Sequence, residues 1–164
     1  MNIIKAGALT VLTMFALTQC KKTEVVAAKE VVDPKVATFQ NLQIHVFKHN
    51  CNSTGCHNVA AASNVQHGLV LEGTDIYERL IGIDPKNTEA KNAGLKLVTA
   101  GNSEKSFLFH KMNWSNNTNY KFGNQMPLGA GLLSAGEIQF VKQWIDAGAP
   151  KTGVVADATL IRSH

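Results

Sequence analysis

The sequence predicts a mostly α fold: a small helical domain with long loops. Three observations carry this. Apolar residues recur at three- and four-residue spacing in three or four separate stretches. Extended, strand-like pieces are few and short. Long polar runs rich in Asn, Ser, Thr and Gly separate the helical stretches. The chain has 164 residues, of which 45% are hydrophobic and 17% charged. That is the composition of one globular domain with a core, not of a disordered chain. The formal charge is +4, and removal of the leader residue Lys5 leaves +3. The Lys and Arg residues are dispersed, which argues against a nucleic-acid partner.

Residues 1–20 read as an export signal. Lys5 supplies the positive charge, and Ala6 to Leu17 is apolar with no acidic residue. This run is short for a membrane span. Leu17-Thr18-Gln19-Cys20 resembles a bacterial lipobox, in which Cys20 becomes the lipidated first residue of the mature protein. An ordinary secretory signal, with Cys20 incidental, is the alternative. Both place the protein outside the cytoplasm, in the periplasm or at the cell surface. Residues 21–35 break short Val/Ala runs with charges and Pro34, and are expected to be a flexible linker.

The domain is expected to span 36–150. Val36, Phe39, Leu42, Ile44, Val46 and Phe47 suggest an amphipathic helix. His45 and His49 lie on it four apart. No acidic third ligand is near, so they read as surface or packing histidines rather than a metal pair. The helix feeds the stretch Cys51-Asn52-Ser53-Thr54-Gly55-Cys56-His57. Two cysteines with a histidine directly after the second form a variant of the c-type haem attachment site, with four residues between the cysteines instead of two. The two thiols can add to the haem vinyl groups and bring His57 under the iron. The extra residues must bulge outward, and Asn, Ser, Thr and Gly tolerate such a turn. The competing reading is a local Cys51–Cys56 disulfide beside a surface histidine.

Asn58 to Gln66 reads as a loop, and His67 to Leu71 as a short extended piece. Thr74 is the expected N-cap of a helix that buries Ile76, Tyr77, Leu80 and Ile81 and stops at Gly82 and Pro85. Residues 84–97 read as loop and Val98 to Asn102 as extended. Asn102 or Ser103 is expected to cap a helix carrying Phe107, Leu108, Phe109 and Met112. Residues 113–125 form a long polar loop that leads to Met126-Pro127. The last helix is the clearest. Ser134 and Glu137 make a capping box, Ile138, Val141, Trp144 and Ile145 form one stripe, and Gly148 and Pro150 end it. The tail 151–164 is expected to be loosely packed. Gly131 to Glu137 lacks the lysine of a P-loop, and there is no His-Glu-x-x-His or recognisable nucleophile context. The Asn-x-Ser/Thr triplets at Asn52, Asn113 and Asn116 are taken as chance.

From about Ile44 to Pro150 these pieces, in this order, resemble the Planctomycete-type cytochrome c domain family. The pieces are the Cys51-to-His57 motif, Gly68-Leu69-Val70-Leu71, Asp75-Ile76-Tyr77-Glu78-Arg79-Leu80, and Val98 through Leu108. Gln125-Met126-Pro127-Leu128-Gly129, Leu133-Ser134 and Trp144 through Pro150 complete the set. Ala100 and Ser103 stand where that pattern has prolines, and the cysteine spacing is longer. The resemblance implies a cytochrome c-like arrangement around a covalent haem c. It assigns Cys51 and Cys56 to the thioethers, His57 to the proximal ligand and Met126 to the distal ligand, with His110 and Met112 as rivals. Trp144 and Phe107 then belong to the wall that dries the pocket. The expected function is a membrane-tethered monohaem cytochrome that exchanges single electrons with redox protein partners and is a carrier rather than an enzyme. The alternatives are a haem peroxidase or sensor with an open iron position, and a haem-free binding module with a Cys51–Cys56 disulfide.

Overall fold

The computed structural model describes residues 30–53, 55–58, 68–129 and 131–162. The expected leader with Cys20, most of the linker and most of the loop after His57 lie outside them. The described residues form a small, mostly α-helical domain without a β-sheet. Two isolated parallel bridges, Ile81 with Val98 and Lys96 with Ser106, are the extended pairings. Among the described residues no helix is long and apolar enough to cross a membrane.

The first helical stretch opens as α1 (Thr38–Asn41) and continues as a π-helix over Leu42–Cys51. Asn52 N–H donates to Phe47 O, five residues back, at 3.0 Å. Such i→i+5 bonding widens the turn beyond that of an α-helix. Leu42, Val46, Phe47 and Cys51 are all buried, and their spacing of four, five and nine suits the wider turn. His45 lies inside the protein, whereas His49 is exposed and contacts Glu30 at 3.0 Å, so the two do not share a face. Glu30 also pairs with Lys48, and Asp33 O accepts from Asn41 Nδ2 at 2.9 Å. The end of the expected linker thus packs against the first helix.

α2 (Ile76–Leu80) begins one residue later than expected, with Asp75 rather than Thr74 at the N-cap. Residues 84–97 are not all loop. Asn87 Oδ1 accepts from Ala90 N–H and starts α3 (Thr88–Asn92), a short helix that buries Ala90. Asn102 caps a single 3₁₀ turn, Ser103–Lys105, and Ser106 then starts α4 (Phe107–Met112).

α5 (Ala135–Asp146) has the expected capping box. Glu137 N–H donates to Ser134 Oγ at 3.2 Å, and Ser134 N–H donates to Glu137 Oε2 at 2.7 Å. Its C-terminus is a Schellman turn: Ala149 N–H returns to Trp144 O and Gly148 N–H to Ile145 O, both at 2.9 Å. Gly148 takes φ +96° there. Trp144 and Ile145 are fully buried. Phe39 stacks on Trp144 and meets Tyr77 edge-on, each at 5.3 Å between centroids. The polar tips of both rings are satisfied by main chain, Trp144 Nε1 on Pro150 O and Tyr77 Oη on Ala149 O.

The tail is not loosely packed. Thr38 Oγ1 accepts from Val155 and Ala156 N–H, and Gln143 Oε1 accepts from Asp157 N–H. Ala156, Ala158 and Ile161 are buried. Arg162 reaches the wholly buried Glu137 at 2.8 Å. Burial pushes that carboxyl up, but Arg162 and the Ser134 hydrogen bonds outweigh it and hold Glu137 below its ordinary value.

Candidate functional site

The cysteine motif begins where the π-helix ends. Cys56 N–H donates to Ser53 O at 2.9 Å, and His57 N–H closes back onto Cys51 O at 3.1 Å. Gly55 takes φ +83°, a conformation that needs glycine. Ser53 and Gly55 are exposed and lie at the edge of the motif's turn. Asn52 turns inward and donates from Nδ2 to Leu71 O at 2.9 Å.

His57 is held by the segment that follows the loop. Its Nδ1 lies 2.7 Å from Leu69 O, so Nδ1 carries the proton and donates. That fixes the tautomer and leaves Nε2 as the basic nitrogen. Leu71 N–H donates to His57 O at 2.8 Å. Arg79, from α2, clamps the same segment. Its Nε donates to Val70 O at 3.1 Å and its Nη2 to Glu72 O, while Asp75 pairs with Nη1.

Cys51 and Cys56 are both free thiols, Cys51 buried and Cys56 half-buried. Burial, reinforced by Cys56 and Glu137, pushes the Cys51 thiol up to about 12. It is therefore protonated at neutral pH and weakly nucleophilic.

A cavity of about 790 Å³ opens beside the motif. Cys51, Cys56 and His57 line it, and so do Met126 and Met112. Leu69, Leu71, Leu97, Phe107 and Leu108 supply apolar wall. Met126 is half-buried, and its N–H donates to Lys111 O at 3.0 Å, which ties the polar loop to α4. His110, one of the rival ligands, does not line the cavity. Its Nε2 donates to Glu104 O at 2.8 Å and its Nδ1 accepts from Asn117 Nδ2, so both ring nitrogens are occupied. Trp144 is core, packed on Phe39 rather than on the cavity, whereas Phe107 does line it.

Among the described residues no three His, Cys, Asp or Glu side chains are placed to hold a metal ion. What the site offers is one imidazole and two thioethers within an apolar chamber that also contains two thiols. The sequence brought the motif and Met126 to notice. It did not point to Leu69 O, Arg79 or Lys111, because a main-chain acceptor and two surface-type cations leave no periodic or motif signal. Comparison with family models, with curated proteins and with solved structures finds no match.

Proposed function

We propose that this chain is a membrane-tethered monohaem c-type cytochrome that passes single electrons between partners outside the cytoplasm. One observation carries the reading: Cys51, Cys56, His57 and Met126, far apart in sequence as two groups, line the same cavity. Its volume lies in the usual range for cofactor sites, roughly 300–1,000 Å³. The donor chemistry also fits. An Nδ1–H bound to a main-chain carbonyl is the usual support of a ligating histidine, and it directs Nε2 to the ligand role.

Cys51 and Cys56 would hold the group covalently, and His57 Nε2 and Met126 Sδ would be the side-chain donors to its iron. When bound, the haem supplies the one-electron redox chemistry. The chain does the rest. A methionine thioether favours the reduced metal and raises the potential. The apolar wall excludes water and tunes the potential further. Cys20, if lipidated, and the residues that follow it would keep the domain near membrane partners and raise its effective concentration there.

The test is expression in a periplasm with haem-maturation machinery, followed by intact-mass measurement. The reading expects one added haem per chain. A chain lighter by two protons, with Cys51 bonded to Cys56, supports the haem-free binding module instead.

A further inference from the structure

The polar loop that carries Met126 has no secondary structure of its own beyond one 3₁₀ turn, Trp114–Asn116. Something else must fix the position of its sulfur. Three consecutive main-chain carbonyls of the loop are captured from α4 and the turn that follows it. Lys111 Nζ donates to Phe122 O at 3.1 Å and also to Asn124 O. Trp114 Nε1 donates to Gly123 O at 2.9 Å. The main chain of Lys111 then accepts the Met126 N–H at 3.0 Å. Lys111 therefore grips the loop twice, through its ammonium before Met126 and through its carbonyl at Met126.

The chemistry suits a clamp better than a surface charge. Lys111 is half-buried, lines the cavity and has its Nζ 5.8 Å from the centre of the Phe107 ring. Burial lowers its pKa, the mark of an ammonium partly stripped of water. Two carbonyl acceptors and the C-terminal end of α4 compensate for that loss. No carboxylate pairs with it among the described residues. Arg79, another cation on the cavity wall, is committed to Val70 O, Glu72 O and Asp75 and does not reach the Met126 loop by any of these bonds.

We infer that Lys111 is the positioning residue for Met126: its side chain fixes the 122–126 segment so that the thioether is presented to the cavity. The inference rests on the haem reading for its consequence at the iron, but not for the clamp itself, and two readouts keep the two apart.

The first readout is the haem-loaded protein with Lys111→Gln, Lys111→Arg and Met126→Ala. Lys111→Gln should keep one haem per chain. It should weaken the methionine-to-iron absorption band and lower the reduction potential in the same direction as Met126→Ala. Lys111→Arg, which keeps both the positive charge and the reach to the two carbonyls, should restore both. A Lys111→Gln protein with the wild-type band and potential overturns the inference. The second readout is amide hydrogen exchange of the haem-free chain. The Met126 amide should exchange about tenfold faster or more in Lys111→Gln, because loss of the two side-chain bonds loosens the segment that holds it. Unchanged exchange overturns the clamp. A wild-type chain that takes up no haem contradicts the haem reading alone, and the exchange result then decides the clamp.

Discussion

The imidazole Nδ1 of His57 donates to the main-chain oxygen of Leu69 across 2.7 Å. This bond crosses the loop that follows the motif and sets which ring nitrogen is basic. It fixes the orientation of the His57 ring at the cavity. His57→Ala in the haem-loaded protein is expected to abolish the low-spin spectrum. Retention of that spectrum would remove His57 from the axial position.

Arg79 supports that bond at one remove. Its donors hold the oxygens of Val70 and Glu72, on either side of Leu71. Arg79→Leu removes both and leaves the carbonyls to find water. A loss of about 1–3 kcal/mol in urea unfolding is expected. An unchanged midpoint would mean that the 69–72 segment is held by Asn52 and His57 alone.

The two thiols should differ sharply in reactivity in the haem-free chain. Cys51 is 8% exposed and its pKa is raised to about 12, whereas Cys56 is half-buried. Alkylation of the folded, haem-free chain near neutral pH should therefore label Cys56 first and Cys51 only on unfolding. The same shift has a sign in stability. The folded state holds the Cys51 proton more tightly than the unfolded state. Its contribution is thus intact below the ordinary thiol value of 9.0 and is lost as pH rises towards about 12. Between those limits wild type should lose more stability than Cys51→Ala, measured by urea unfolding at a series of pH values. Parallel curves would contradict the shift.

The tail should resist change at Gly136. A Cβ placed there would stand 2.2 Å from Leu160 O, a main-chain atom that cannot swing away. Gly136 is the second residue of α5, where alanine's gain over glycine falls short of the roughly 1 kcal/mol of a helix interior. Here the clash should outweigh it, and Gly136→Ala should destabilise by about 1–3 kcal/mol. Proteolysis should then cut first after Lys151. A stabilised variant would show that the tail is easily displaced.

Legibility followed local chemistry. α5 could be read because its box, stripe and stop signal all lie within a short span, Ser134 to Pro150. The turn within the motif could be read in part from Gly55, which takes a positive φ there. The π-helix was missed because Val36, Phe39 and Leu42 set an α period that Leu42, Phe47 and Cys51 then abandon for a wider one. α3 was missed because it buries a single alanine and has no stripe, although Asn87 followed by Glu89 marked its start. The packed tail was missed because its buried residues are mainly alanines, and its anchors, Thr38 and Gln143, are distant polar side chains. The convergence of Met126 with the motif depends on tertiary structure, and only the family resemblance anticipated it.

The most direct measurement is the absorption spectrum of the reduced, denatured protein in alkaline pyridine, after expression with haem-maturation machinery. A covalent c-type haem at one per chain, lost in Cys51→Ser with Cys56→Ser, is the predicted result. A wild-type chain without haem, with Cys51 and Cys56 found oxidised to a disulfide, would contradict the account.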